Sequence, residues 1–244
     1  MMFRVCVAVF ALAPAGALAL DPASVLAPNL KPGDSWVFDR AIKHGTSGFS
    51  DQRFDFKVES VGVDTMVVGI KLDGALGDFE AQLIGADWSQ RRLVDGEQTT
   101  TGRPFSFPLS IGKTWTSDYV DLNQHGLQVS AQHHDTYTVV GWEDMTTPAG
   151  TFHAIKITAD DNVKGQFMAS SATVGGAVAT SDGSSVVARS GRTGPHTEYG
   201  EFLSTIWYVP EVKYWAKMVK EDYNSENVRT NRQTDMLISF KPAL

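Results

Sequence analysis

The chain has 244 residues, 21 of them basic and 28 acidic, for a formal net charge of −7. A negative field of this kind repels nucleic acid and anionic lipid head groups and removes both as general electrostatic partners. The length suffices for one large β domain or two small ones with a packed core.

Residues 1–19 read as a secretory signal. Arg4 and the amino terminus make a short positive region, Val5 to Leu12 is apolar, and Ala17-Leu18-Ala19 has the small-x-small pattern of a cleavage site. The mature chain is expected to begin near Leu20, and losing Arg4 leaves 20 basic against 28 acidic residues. Cys6, the only cysteine, leaves with the leader, so no disulfide, cysteine nucleophile or thiolate zinc site is expected. Residues 17–21 contain no cysteine for lipid attachment. No later segment approaches the about 20 apolar residues of a membrane helix. Export to the periplasm is the expectation, with the extracellular space as the alternative.

The pattern Leu-x-x-Gly-x-[Ser/Thr]-Trp occurs at Leu30–Trp36 and again at Leu109–Trp115. Val61-Gly62 and Val140-Gly141 keep the same spacing behind the two tryptophans, and Gly77–Ala81 and Gly150–Ala154 follow as a third landmark. Self-similarity of this sort predicts a tandem duplication, with a first β repeat over 20–108 and a second over 109–244. The alternative is that turn-then-strand grammar repeats by itself, because glycine supplies turn geometry and tryptophan fills a pleated surface.

Between these landmarks the period is two. Phe54, Phe56 and Val58 oppose Asp55, Lys57 and Glu59, and Val68, Ile70 and Leu72 behave likewise. The stretch 202–209 is apolar on both faces and is expected to be central. Val212, Tyr214, Ala216 and Met218 then alternate with Lys213, Trp215, Lys217 and Val219, and Met236, Ile238 and Phe240 close the chain. The predicted class is mainly β, an antiparallel meander folded into an open barrel or a sandwich. Residues 162–200 break this grammar: 22 of the 39 are Gly, Ser, Ala or Thr. They read as a mobile surface insertion, or as a hairpin turning at Ser181-Asp182-Gly183-Ser184.

The segments Thr147–Lys156 and Ile206–Lys213, with Gly112–Trp115 upstream, resemble the signature of an uncharacterised family of exported bacterial β-proteins, the TapB-like proteins. That family has no established activity, so the resemblance implies a fold and a compartment only. A strand ending in Trp-Tyr, a proline turn and a second long strand are also similar to the late hairpins of periplasmic lipoprotein carriers, whose open half-barrels hold acyl chains. Read from the residues alone, Pro148 and Gly150 punctuate a turn, and Pro210 ends a strand whose neighbour begins at Val212.

Catalytic patterns fail in turn. Gly112-Lys113-Thr114 copies the end of a phosphate loop, but the earlier glycine would fall at Phe107. Ser110-Ile111-Gly112-Lys113 spells Ser-x-x-Lys, yet that chemistry needs a helix and glycine here marks a turn. No Gly-x-Ser-x-Gly elbow occurs. Asp160–Gly165 begins like a calcium loop, but Lys164 takes a ligand position and Ser171 replaces the closing glutamate. The adjacent acids Glu143-Asp144 and Asp160-Asp161 point to opposite faces of a strand and give no convergent carboxylate pair. Among His44, His125, His133, His134, His153 and His196, His133 and Asp135 share a strand face and could ligate a metal if His125 or His153 came near.

The leading expectation is a non-enzymatic exported protein, without cofactor, that binds a lipid-like apolar ligand in an open barrel, or another exported protein. Trp207, Tyr208, Lys213, Trp215 and Lys217 are the candidate contacts; Trp215 is placed on the polar face of its strand with the two lysines at the rim. The alternative is a metal-assisted or acid/base hydrolase built on His133 and Asp135, which requires convergent titratable groups where a carrier requires a cavity.

Overall fold

The computed structural model describes residues 23–45, 48–94, 97–122, 128–168, 170–178 and 185–243. The predicted leader lies outside them. The chain runs as two six-stranded antiparallel meanders. The first comprises β1 (Ser35–His44), β2 (Gly48–Val61), β3 (Thr65–Leu72), β4 (Glu80–Gly85), β5 (Gln90–Val94) and β6 (Glu97–Gly102). The second comprises β7 (Thr114–Leu122), β8 (Gln128–Thr147), β9 (Gly150–Phe167), β12 (His196–Val209), β13 (Tyr214–Asn224) and β14 (Arg229–Lys241). β14 pairs with β1, which fuses the meanders into one 12-stranded sheet with β6 and β7 at its ends. The sheet curls into a nearly closed barrel. No backbone ladder joins β6 to β7, but Arg92 on β5 reaches Asp121 on β7 at 2.9 Å and the Trp115 indole donates to the Arg103 carbonyl at 2.9 Å. Among the described residues there is no α-helix, only a 3-10 turn at Pro210–Val212, and no helix long and apolar enough to cross a membrane.

The predicted period holds where pleating alone decides orientation. Phe54, Phe56 and Val58 are buried, and Ile206, Trp207, Tyr208 and Val209 at the end of β12 are all buried, as a central strand requires. The next strand begins at Tyr214, after the 3-10 turn that follows Val209.

Both Leu-x-x-Gly-x-[Ser/Thr]-Trp segments build the same local structure. Lys31 to Asp34 and Ser110 to Lys113 are turns closed by N–H donation from the fourth residue to the first carbonyl, each 3.0 Å. Gly33 and Gly112 take φ of 99° and 80°, the left-handed setting that the third position of a type II turn demands. Gly33 N–H then donates to Val58 and Val58 N–H to Asp34, while Gly112 N–H donates to Val139 and Val139 N–H to Lys113. A bulge follows each valine, with Glu59 and Val140 the unpaired residues. By hydrogen bonding, then, Val58 corresponds to Val139. The second landmark is therefore out of register, since Val140 takes the place of Glu59 and not of Val61; the third does not correspond either, because Gly77–Ala81 leads into the fourth strand of its meander and Gly150–Ala154 opens the third of its own.

The small-residue segment forms a ladder, as the hairpin reading of it expects and the mobile-insertion reading does not. β10 (Ser170–Val178) and β11 (Ser185–Thr193) pair from Ser170↔Thr193 to Val178↔Ser185, in the register set by β9 and β12 from Ile155↔Tyr208 to Phe167↔His196. The insertion is thus the outer half of one long hairpin, since main-chain pairing needs no apolar side chain. Residues 179–184, with the predicted Asp182-Gly183 turn, lie outside the described ones.

An aromatic cluster fills the end of the barrel where β1 begins. Trp36 packs within 6.3 Å of Phe56, Trp88, Tyr214 and Phe240, and its indole donates to the Val212 carbonyl at 2.7 Å. Trp88, in the β4–β5 turn, crosses the barrel to stack on Tyr214 at 3.9 Å and donates to the Lys213 carbonyl at 3.0 Å. Beside it Asp34, 0% exposed, accepts hydrogen bonds from the Lys31 and Ala243 backbones and from the Lys213 ammonium, all at 2.8 Å. Burial opposes ionisation of Asp34, but these donors outweigh it and hold the carboxyl below its ordinary range.

Two outcomes follow from this end of the barrel. Trp36→Ala is expected to cost about 3–5 kcal/mol in denaturant unfolding, as large aromatic deletions in cores do. Asp34→Asn is expected to cost about 3–5 kcal/mol at pH 7, because it strands Lys213. The stabilisation from Asp34 is present above the unfolded carboxyl pKa of about 3.9 and is lost as pH falls through the depressed folded value. Thermal melts between neutral and acid pH should therefore converge for wild type and Asp34→Asn.

Candidate functional site

Away from the aromatic end, the same inward faces turn polar. On β1, Trp36 and Phe38 are followed by Arg40; on β14, Leu237 by Asp235; on β8, Val139 and Tyr137 by Asp135 and His133. A cavity of about 520 Å³ opens at this transition. Phe56, Ile70, Ile84, Trp88, Ile206, Tyr214, Trp215 and Met218 supply its apolar wall, and Arg40, Arg91, Arg92, Gln82, Gln90 and Thr101 its polar one. Volume and lining fall in the range of small-molecule sites.

Its three guanidinium groups are not equivalent. Arg40 forks onto the buried Asp235 carboxylate at 2.9 and 2.8 Å, and Arg92 is paired with Asp121. Arg91 donates Nε to the Ser89 hydroxyl at 3.2 Å and, among the described residues, has no carboxylate in ion-pair reach. Ser89 is itself held by Asp87, which engages its hydroxyl and its N–H. Arg91 is thus an oriented cation left without a counter-ion in a partly apolar hollow.

A second group lies on β7, β8 and β9. Asp135 and Asp161 are direct cross-strand partners, and His133 Nδ1 sits 2.8 Å from Asp161 Oδ2. The Tyr137 phenol donates to Asp135 at 2.8 Å, and the Tyr119 ring stacks on His133 at 4.5 Å. Burial, with the Asp161 charge adding to it, pushes the Asp135 carboxyl up to about 7. Burial likewise raises Tyr137 and Tyr119, so both remain phenols.

The predicted contact residues separate. Trp215 is 6% exposed and packs 4.1 Å from Phe38, on the cavity wall. The expectation that it shares a polar face with Lys213 and Lys217 fails because Trp207 pairs with Lys217 and Tyr208 with Trp215, so Ala216 is bulged and the alternation reverses. Tyr208 is core, between Phe105 and Phe107. Lys213 is spent on Asp34. Trp207 and Lys217 stay together on the opposite face of the sheet, with the Lys217 and Lys156 ammonium groups 4.7 and 5.4 Å from the indole. His133 and Asp135 converge, but with Asp161. His134 turns outward to Asp118, His153 sits near the β8–β9 turn with Asp144, and His125 lies outside the described residues.

Sequence reasoning gave Arg40, Arg91 and Trp88 no place in a site, and met Asp161 only in the calcium-loop pattern and as one of two adjacent acids. Asp161 was findable only with the register of β8 on β9. The Ser110–Lys113 motif is a turn whose lysine is engaged by the Ser106 and Pro108 carbonyls, as its glycine implied.

No family model and no curated protein matches the chain. Among solved structures it is similar to a "putative lipoprotein" from Parabacteroides distasonis, at 14% identity and a TM-score of 0.43, over 89% of this chain and 99% of that one. It is also similar to a "putative exported protein with YmcC-like fold" from Bacteroides fragilis, at 14% identity and a TM-score of 0.40, over 89% and 99% of the two chains.

Proposed function

We propose that this is an exported protein that holds an anionic amphiphile inside its barrel, the apolar part against Trp88, Trp215 and Met218 and the acidic head at Arg91. One observation carries the reading: a cavity of about 520 Å³ whose wall passes from rings and aliphatics to guanidinium groups, one of them without a counter-ion. In a chain of net charge −7 such a cation is a local exception to the overall field. A desolvated guanidinium recognises carboxylate or phosphate by charge-assisted, bidentate hydrogen bonds, while the apolar wall contributes about 25 cal/mol per Å² of ligand surface covered. The leader pattern in residues 1–19 and the resemblance to TapB-like exported proteins support export, with the periplasm as the compartment.

The domain reading belongs to the same proposal. Residues 20–108 and 109–244 are two repeats, each a six-stranded meander, supported by the matching type II turns, the matching valine bridges and the bulge behind each valine. The β10–β11 extension is an addition to the second repeat alone.

Palmitate titrated into purified full-length chain is expected to bind at one site. Arg91→Ala should weaken it about tenfold or more, the worth of a hydrogen bond to a charged group, and Met218→Trp should abolish it by filling the cavity. Equal affinity for an uncharged alkyl maltoside would remove the anionic head from the reading, and undiminished binding by Met218→Trp would remove the cavity.

A further inference from the structure

The His133, Asp135 and Asp161 group is not used by the amphiphile reading, and its electrostatics need an explanation of their own. Asp135 and Asp161 are 4% and 9% exposed and lie directly opposite each other on paired strands. Two carboxylates buried side by side repel and lose hydration together, a conflict relieved by a proton on one of them or by a cation between them. His133 Nδ1 faces Asp161 Oδ2, whereas Asp161 Oδ1 is buried and has no hydrogen-bond partner.

The donors are arranged for something to fill this place. One ligand atom from each of the three side chains lies within 4.8 Å of the other two. Ligands each about 2.0–2.2 Å from a common ion stand within about twice that distance of one another, so a small closure brings these three onto one ion. The surrounding groups orient the ligands: the Tyr137 phenol donates to Asp135 and the Tyr119 ring lies parallel to His133, 5° between planes. Outer groups that fix carboxylate and imidazole orientation are the usual complement of a metal site. One imidazole nitrogen and two carboxylate oxygens suit a borderline divalent cation; the set holds too little oxygen for calcium and no thiolate.

We propose that His133, Asp135 and Asp161 form a binding site for a divalent transition-metal ion of the zinc type, with a fourth position left for water or an exogenous ligand. The two carboxylates neutralise the ion. This site is independent of Arg91 and of the cavity wall.

The test is zinc binding by the full-length chain, dialysed against chelator and then titrated calorimetrically with zinc chloride, with the stoichiometry checked by native mass spectrometry. One equivalent should bind and should raise the melting temperature. Asp161→Asn and His133→Gln should each lose the site, and Tyr137→Phe should weaken it about tenfold, as outer-group changes do. His134→Ala should leave binding unchanged, because His134 faces away with Asp118. Circular dichroism of each variant separates loss of metal from loss of fold, and Tyr137→Phe keeps the test valid should both ligand variants unfold. Absence of binding by the wild type, binding undiminished in Asp161→Asn, or loss of binding in His134→Ala instead would each overturn the site. Palmitate binding by Asp161→Asn should stay at the wild-type level.

Discussion

The barrel depends on what Asp34 does with its carboxylate. This fully buried group joins three remote parts of the chain: the turn that starts β1, Ala243 just past the end of β14, and the connection between β12 and β13. β1 on β14 is the backbone ladder that joins the two meanders, and Asp34 pins it at one end. A buried ion pair is a weak source of net stability, because desolvating both charges offsets much of their attraction. Its value here is one of specification. An apolar residue at position 34 could bury as much surface, but it could not demand that Ala243 and Lys213 arrive at one point.

With that end fixed, the inward faces of β1, β8 and β14 grade from rings to charges, and the cavity sits where the grading occurs. The aromatic end needs its hydrogen-bonding tips satisfied, and it satisfies them on backbone: Trp36 on Val212, Trp88 on Lys213 and Trp115 on Arg103. The carbonyls of the β12–β13 connection are therefore used twice. This explains why Lys213, with φ of 61° and its ammonium on Asp34, is a structural residue despite reading as a rim lysine.

The period-two grammar made the β class and most strand faces legible in the sequence, because pleating alone fixes which side chains of Phe54–Val58 turn inward. What it could not supply was phase after a bulge. Ala216 carries no mark distinguishing it from any strand alanine, yet its insertion swings Trp215 from the expected polar face to the cavity wall. Composition misled over 162–200 for a related reason: small residues bury little, but they do not forbid a ladder. The site was legible only in fragments. His133 and Asp135 share a face by spacing, whereas Asp161 reaches them through the register of β8 on β9, which no single strand encodes.

The same register bears on why two acids face each other at all. Cross-strand pairs are the unit of sheet stability, and like charges opposite one another are unfavourable even at the surface. On β7 and β8 the exposed pairing is resolved simply, His134 against Asp118. One residue further along β8, Asp135 meets Asp161 inside the barrel, where an Asn or Thr at either position would relieve the conflict without loss of packing. The Tyr137 phenol donates to Asp135 and His133 Nδ1 lies against Asp161 Oδ2, while the other oxygen of Asp161 stays unserved. Local consistency is the rule in a folded sequence, and its violations gather at positions kept for another purpose. On β7–β9 the facing acids Asp135 and Asp161 are such a violation, and the proposed cation site is the purpose that would account for it.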